Sequence, residues 1–308
     1  MKKFIATLAA TLTLSPVTAL AQEDNVIKIA SQTTPMTDIV ELAAENIAEP
    51  YSIELVEVTD NIQYNEAVFN DEADASFAQH MPFMQMFNEE KDADLVAIQP
   101  IYNAVVGFYA PEYKSIEDIE DGAEVAIPSD PTNEARALLI LESYDLIDLN
   151  DEAGLFPTVD DVEENTKNLK FTNVDLMNLA SAYEDGVDLV FNYPTYIAKI
   201  GLKSEDALIV EKDDNHKFAI QVVTREGNKD SEAMKAVIEA FKSEPVRKFV
   251  DELSESGHLV PAFDVEIEED DDDKEDDDKE DDAEETDDSA EDDDKEDDAE
   301  EADDSAED

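Results

Sequence analysis

The chain has 308 residues, no cysteine and a formal net charge of -62, with 83 acidic against 21 basic side chains. Without cysteine, disulfides, thiolate metal sites and a cysteine nucleophile are excluded. Nucleic acid is excluded as a partner because binding to phosphates requires a basic face, and an anionic membrane surface would repel the chain. A surface this acidic is best tolerated where salt screens it, which is typical of halophilic proteins.

The first 21 residues have the pattern of a secretory signal peptide. Two lysines, Lys2 and Lys3, precede a short apolar run, and the sequence Ala-Leu-Ala at 19–21 fits a cleavage site. The run is shorter than the roughly 20 apolar residues that a membrane-spanning helix requires. We therefore expect residues 1–21 to be removed and the mature protein to be periplasmic, soluble and monomeric. Since no cysteine follows the signal, we expect no membrane anchor.

Two regions of different composition follow the signal. Residues 22–263 carry 16 basic and 51 acidic side chains, a charge of -35, and residues 264–308 carry 3 and 32, a charge of -29. The repeat DDDKEDDAEETDDSAE at 276–291 returns at 292–307 with one change, Thr286 to Ala302. A segment with so few apolar side chains cannot offset its ordering entropy. We predict a disordered acidic C-terminal tail over 264–308, for which weak cation buffering is an alternative role.

Apolar periodicity in the central region predicts short strands alternating with helices. Strands are predicted over 26–30, 53–58, 75–77, 95–98, 125–127, 169–174, 187–191, 207–211 and 218–224. Helices are predicted over 36–48, 64–70, 81–90, 133–147, 231–242 and 245–255.

This alternation favours an α/β fold with mainly parallel sheets. Because the final helices follow the last strands, the chain is expected to cross between two lobes and return. We assign 22–112 and 223–263 to one lobe and 113–222 to the other. Ligands of such folds bind beyond the carboxyl ends of strands, where the lobes meet.

Motifs of catalysis are absent from the sequence. The three histidines, His80, His216 and His258, are far apart, and no nucleophile elbow, zinc-protease or phosphate-binding loop motif is present. Carboxylate pairs carry no information in a chain with 83 acidic residues. We therefore expect neither enzyme activity nor a cofactor.

The most informative segment is PSDPTNEAR at 128–136, where a predicted strand turns into a helix. A helix N-terminus suits an anion, Asn133 lies in the first turn, and Arg136 offers a planar fork to a carboxylate. The alternative is a salt bridge between Arg136 and a nearby acid. Because only two arginines precede residue 240, we favour a role for Arg136 in ligand binding.

Two further segments are candidates for the same site. The first, at 77–83, combines Phe77, Gln79, His80 and Phe83, a mixture that suits an uncharged ligand side chain; the alternative is a core histidine. In the second, at 190–196, Asn192 ends a buried strand and could orient a zwitterion, although an asparagine at a strand end is also an ordinary turn former.

These segments resemble the methionine-binding proteins of the NlpA lipoprotein family, the solute receptors of methionine ABC importers. The motifs that carry the resemblance are Asn65-Glu66-Ala67, Gln79-His80, Pro131-Thr132-Asn133-Glu134, Val222-Val223-Thr224-Arg225 and Val260-Pro261-Ala262-Phe263. The resemblance implies a two-lobed, type II-like periplasmic-binding-protein fold that delivers an amino acid, with methionine favoured, to an ABC permease. It also implies that Arg136 pairs with the ligand carboxylate, that Asn192 bonds its polar end and that His80 lies beside its side chain.

The chain departs from the family pattern at three positions near these motifs. Asn61 replaces a tyrosine, Ala78 replaces an aromatic residue, and Ile220 replaces an asparagine, with Gln221 beside it. Asn61 and Gln221 are therefore added to the candidate site. The departures keep a different small amino acid or a short peptide as alternative ligands. Family members also usually carry a lipid-anchor cysteine, which is missing here.

Overall fold

The structure is a computed structural model that describes residues 25–154, 156–212 and 216–265. The predicted signal peptide and, beyond residue 265, the predicted acidic tail lie outside the described residues. All described residues belong to one unit of contacting elements. None of the helices in these ranges is long and apolar enough to cross a membrane.

The described chain contains thirteen strands and eight α-helices, numbered in chain order. The strands are β1 Val26–Ser31, β2 Ser52–Glu57, β3 Ala75–His80, β4 Leu95–Ala104, β5 Gly107–Tyr109, β6 Glu124–Pro128, β7 Ile147–Leu149, β8 Val162–Asn165, β9 Lys170–Val174, β10 Leu189–Asn192, β11 Ile209–Val210, β12 Ala219–Arg225 and β13 Leu259–Pro261. The helices are α1 Met36–Asn46, α2 Gln63–Phe69, α3 Met81–Lys91, α4 Pro131–Glu142, α5 Leu179–Glu184, α6 Pro194–Ile197, α7 Glu232–Phe241 and α8 Glu244–Glu255.

The first sheet has six strands in the order β13-β4-β12-β3-β1-β2. Strand β1 is parallel to β2 and β3, whereas β12 is antiparallel to β3 and β4, and β13 is antiparallel to β4. In β1 the alternation of buried Ile27 and Ile29 with exposed Lys28 is the period of a strand with one face on a core. Helix α1 packs against β2 and α7 through residues spaced as on one helix face: Met36, Ile39, Val40 and Ala43.

The second sheet has five strands in the order β11-β5-β10-β6-β9. Strand β6 is parallel to β9 and β10, and β5 is antiparallel to β10 and β11. Strands β7 and β8 form a separate antiparallel pair. The buried run of β10, from Leu189 to Asn192, fits a central strand that is covered on both faces.

The chain passes from the first sheet to the second between Ala104 and Gly107 and returns between Val210 and Ala219. The sequence analysis assigned 22–112 and 223–263 to one lobe and 113–222 to the other. The predicted crossovers were therefore at 112 and 222. Strand β5 lies in the second sheet and all of β12 in the first, so we propose crossovers a few residues earlier. These crossovers bring both sheets to a common junction.

The structure confirms the α/β alternation and corrects several details. The sheets are mixed rather than mainly parallel, because β12 runs antiparallel to β3 and β4, and β5 runs antiparallel to β10 and β11. The helix predicted over 133–147 ends at Glu142, since the turn that follows places Asp145 at a φ of 57°. Strand β13 follows the final helices and pairs with β4. The short elements β5, β7, β8, α5 and α6 were not predicted.

Candidate ligand-binding site

Three strand-to-helix junctions meet between the two sheets, and they are the three segments that the sequence singled out. His80 ends β3 and caps α3, because its Nδ1 accepts a hydrogen bond from the amide of Phe83 at 3.3 Å. Asp130 follows β6 and caps α4, because its Oδ1 accepts from the amide of Asn133 at 3.0 Å. Tyr193 follows β10 and precedes α6. Each junction thus directs polar side chains to the carboxyl ends of the strands.

A cavity lies at this junction and encloses about 590 Å³, including its opening to solvent. Predicted site residues in its wall are Asn61, Gln79, His80, Phe83 and Asn133. Other lining residues are Gln32, Thr33, Met36, Tyr64, Ala78, Tyr102, Ala104, Leu176, Tyr193, Thr195, Tyr196 and Ile220. Both sheets contribute residues to it, and its mixed aromatic and polar lining is typical of a small-molecule site.

The guanidinium of Arg136 lies behind this wall and is fully buried. Its Nε and Nη2 donate to the two carboxylate oxygens of Glu211 at 2.6 and 2.5 Å. Its Nη2 also donates to the carbonyl of Ala104 at 3.2 Å, and its Nη1 donates to the hydroxyl of Tyr193 at 2.9 Å. Burial would lower the pKa of Arg136, but the adjacent Glu211 carboxylate outweighs it and raises that pKa. Arg136 therefore stays charged, with a protein carboxylate in its fork.

The cavity wall is ordered by a chain of hydrogen bonds that begins at Arg136. The hydroxyl of Tyr193 donates to Oδ1 of Asn133 at 2.6 Å, and Nδ2 of Asn133 donates to both carboxylate oxygens of Asp130 at 2.9 and 3.1 Å. Burial raises the pKa of Tyr193 above its ordinary value, so the phenol keeps its proton. Burial also raises the pKa of Asp130, although hydrogen bonds from Asn133 and Thr132 oppose this. Arg136 thus fixes the orientation of Tyr193 and, through it, of Asn133. Both of these residues line the cavity, whereas the guanidinium itself does not.

His80 is a neutral imidazole in this wall. Burial, followed by the positive charge of Arg136, lowers the pKa of His80 to about 3. Because Nδ1 accepts from the Phe83 amide, the proton of the neutral ring is assigned to Nε2, which lies 3.4 Å from Oδ1 of Asn133. The ring of Phe218 stands edge-on to His80, with centroids 5.2 Å apart, and 4.4 Å from the guanidinium carbon of Arg136. This corner of the cavity is therefore uncharged and aromatic.

Four predicted site residues do not line the cavity. Arg136 is separated from it by the wall described above. Phe77 packs in the core, with its ring 5.1 Å from Phe241 and 6.1 Å from Tyr102. Ala78, the next residue of β3, points to the opposite face of the strand and lines the cavity.

Asn192 and Gln221 are buried beside the cavity wall. Oδ1 of Asn192 accepts from the amide of Tyr193 at 3.0 Å, so Asn192 shapes the turn that carries the tyrosine. The Nδ2 of Asn192 and the Nε2 of Gln221 have no hydrogen-bond partner among the described residues. Gln79, by contrast, is fully engaged in reciprocal amide bonds with Asn65.

Several residues of the site were missed by the sequence analysis. Tyr193, Phe218 and Glu211 each contact Arg136, and Tyr64, Tyr102 and Tyr196 line the cavity. Tyr193 had a usable signal, since it directly follows the strand-end Asn192. Glu211 had none, because a single carboxylate cannot be distinguished among 83 acidic residues.

The model of the NlpA lipoprotein family matches residues 27–263, which include every element and junction described above. The chain belongs to the NlpA lipoprotein family. The D-methionine-binding lipoprotein MetQ of Escherichia coli is 33% identical over 240 residues, which are 77% of this chain and 88% of that protein.

Solved structures of NlpA family relatives and of other similar proteins share this fold. A YaeC-family lipoprotein from Enterococcus faecalis is 48% identical, with a TM-score of 0.71 over 78% of this chain and all of that one. A nutrient binding protein from Burkholderia cenocepacia, solved bound to methionine, is 28% identical, with a TM-score of 0.72 over 77% of this chain and all of that one. The two-lobed solute-binding fold expected from the sequence is confirmed. Members of the NlpA lipoprotein family are substrate-binding proteins and not enzymes.

Proposed function

We propose that this protein is an extracytoplasmic receptor that binds a free amino acid, methionine, in the cavity between its two sheets and delivers it to an ABC importer. The observation that carries the proposal is the cavity wall in which neutral His80, Asn133 and Tyr193 surround apolar space, with the charge of Arg136 behind them. Relatives named for methionine binding support it.

The thioether of methionine suits the aromatic side of this cavity. Sulfur and aromatic rings attract each other at about 5 Å, and Tyr64 and Phe83 stand together in the wall with ring centroids 6.2 Å apart. A neutral His80 adds no charge that would repel an apolar side chain. The cavity therefore offers an uncharged, polarisable surface to the ligand side chain.

We assign the ligand carboxylate to Arg136, as the sequence predicted. Glu211 already accepts two hydrogen bonds from the guanidinium, and this limits where a ligand carboxylate can bind. A guanidinium has five N–H groups, and the four hydrogen bonds to Glu211, Ala104 and Tyr193 use four of them. The fifth is on Nη1, beside the cavity-lining Tyr193. We propose that the carboxylate accepts from this N–H and from the reoriented Tyr193 hydroxyl, while Glu211 keeps the opposite edge.

A second candidate is a receptor for another small amino acid or a short peptide. The three departures from the family pattern, Asn61, Ala78 and Ile220, all lie in the cavity wall. Replacing two aromatic side chains by small or polar ones enlarges the space available to the ligand. Because these departures lie in the cavity wall, they act directly on the choice of ligand. They favour a ligand that is larger than methionine or chemically different from it.

A thermal-shift panel of L- and D-amino acids and methionine-containing dipeptides distinguishes these candidates. A ligand at 100 times its dissociation constant stabilises the protein by about 2.7 kcal/mol. We expect one methionine enantiomer to give the largest shift. A larger shift with a different amino acid or a dipeptide would support the second candidate, and no shift with any compound would refute the receptor function.

We further propose that the protein acts without a lipid anchor, outside the cytoplasmic membrane. The family name and its relatives point to lipoproteins, whereas this sequence has no cysteine to carry a lipid. Detergent phase partitioning of the protein from its native cells tests this point, and recovery in the detergent phase would refute it.

A further inference from the structure

The carboxylate of Glu211 is built into the junction between the sheets. Glu211 directly follows β11, and its amide donates to the carbonyl of Val106 at 3.0 Å, which ties one crossover of the chain to the other. Its side chain is only 8% exposed and forms a two-pronged ion pair with fully buried Arg136. The position of this negative charge is thus set by backbone and side-chain bonds together.

Among the described residues, the buried ionised groups beside the cavity leave no surplus of positive charge for a ligand. Arg136 is balanced by Glu211, and Asp130, which is partly buried and accepts from Asn133, makes no salt bridge with a described residue. The N-terminus of α4 partly compensates Asp130. His80 is neutral, as shown above. Among the described residues, Lys217 is a further cation near this corner of the cavity; it is only partly buried, so solvent weakens its effect there.

We propose that Glu211 selects ligands by their net charge, so that the cavity accepts a zwitterionic amino acid and rejects an amino acid whose amine has been acylated. This inference rests on the proposed function, in which the ligand presents its carboxylate to Arg136. A carboxylate that enters beside the Arg136–Glu211 pair puts two negative charges around one guanidinium in a buried site. The ligand ammonium restores neutrality, and an N-acyl amino acid has no such group. Removing the charge of Glu211 leaves a buried cation that an anionic ligand would compensate.

Calorimetry with methionine and N-acetylmethionine tests the proposal on the full chain. We expect the wild-type protein to prefer methionine by at least 100-fold and Glu211→Gln to reduce that ratio by at least tenfold, mainly through tighter binding of N-acetylmethionine. The matched control is Glu205→Gln, since Glu205 pairs with Lys203 on the surface, where their side chains are 75% and 68% exposed. The control should keep the wild-type ratio.

A second measurement uses only the wild-type protein. It therefore tests the proposal even if the Glu211→Gln variant fails to fold. N-acetylmethioninamide has the same acyl group as N-acetylmethionine but no charge. If charge causes the rejection, the amide binds more tightly than the anion, although it lacks the carboxylate that Arg136 would bind. If the acyl group is merely too large, the anion binds at least as tightly as the amide.

The outcomes separate this inference from the function on which it rests. An unchanged ligand ratio in Glu211→Gln, or an equal loss of affinity for both compounds, overturns charge selection and leaves a supporting role for Glu211, with methionine binding by the wild type intact. Tighter wild-type binding of N-acetylmethionine than of its amide also overturns it. If the wild type binds none of the three compounds, the proposed function fails and charge selection fails with it.

Discussion

Replacing His80 by glutamine should flatten the dependence of stability on pH. The imidazole is buried at the end of β3, and its pKa is lowered to about 3, first by burial and then by the charge of Arg136. A glutamine amide can keep the donor toward Asn133 without being able to take up a proton. The substitution therefore removes a titrating group while preserving the polar contact.

The size of the effect follows from the two pKa values of His80. In the unfolded chain the imidazole titrates near pH 6.5, whereas in the native protein it stays neutral down to about pH 3. Between these values the unfolded chain binds more protons, so stability falls as the pH is lowered. From pH 7.5 to pH 5.0 this term removes about 2 kcal/mol from the free energy of unfolding. The wild type and the variant contain the same carboxylates, so the contribution of these groups cancels when the two losses are compared.

Urea unfolding at pH 7.5 and pH 5.0 measures this term in the wild type and in His80→Gln. We expect the wild type to lose about 2 kcal/mol more than the variant on acidification. The matched control is His258→Gln, because His258 lies near the surface and contacts Ser256 rather than the cavity; it should behave as the wild type does. Equal losses in wild type and His80→Gln would show that His80 is not held neutral, and the account of the cavity wall would be wrong.

Two further predictions concern stability. Tyr193→Phe removes a buried hydroxyl that both accepts and donates a hydrogen bond, so it should cost about 2–4 kcal/mol in urea unfolding. Tyr144→Phe, which loses one bond to a backbone carbonyl, should cost about 1 kcal/mol, and equal costs would contradict the hydrogen-bonded wall. Gly107→Ala should cost about 1–3 kcal/mol in thermal unfolding, because the added Cβ would lie 2.3 Å from the carbonyl oxygen of Ile209. Gly227→Ala, in open space, should change stability by less than about 0.5 kcal/mol.

The elements that the sequence predicted well are those with long, regular patterns. The strand at 26–30 and the helix at 36–48 have clear periods of 2 and 3.6 residues, and both are present within two residues of their predicted ends. Strands β5, β7 and β13 have three residues each, too few to establish a period. Such strands are held by their partners in the sheet, which no local pattern reveals.

The sequence by itself determined the α/β alternation, the three junctions and the motifs that carry the family resemblance, because these depend on local periodicity, capping residues and spacing. Only the tertiary structure decided that Phe77 belongs to the core while Ala78 faces the cavity, and that Glu211 is the partner of Arg136. That pair joins residues 75 positions apart. Its formation depends on two chain crossovers that bring the sheets together, and short-range sequence pattern contains no information about which of many carboxylates such a junction will bury.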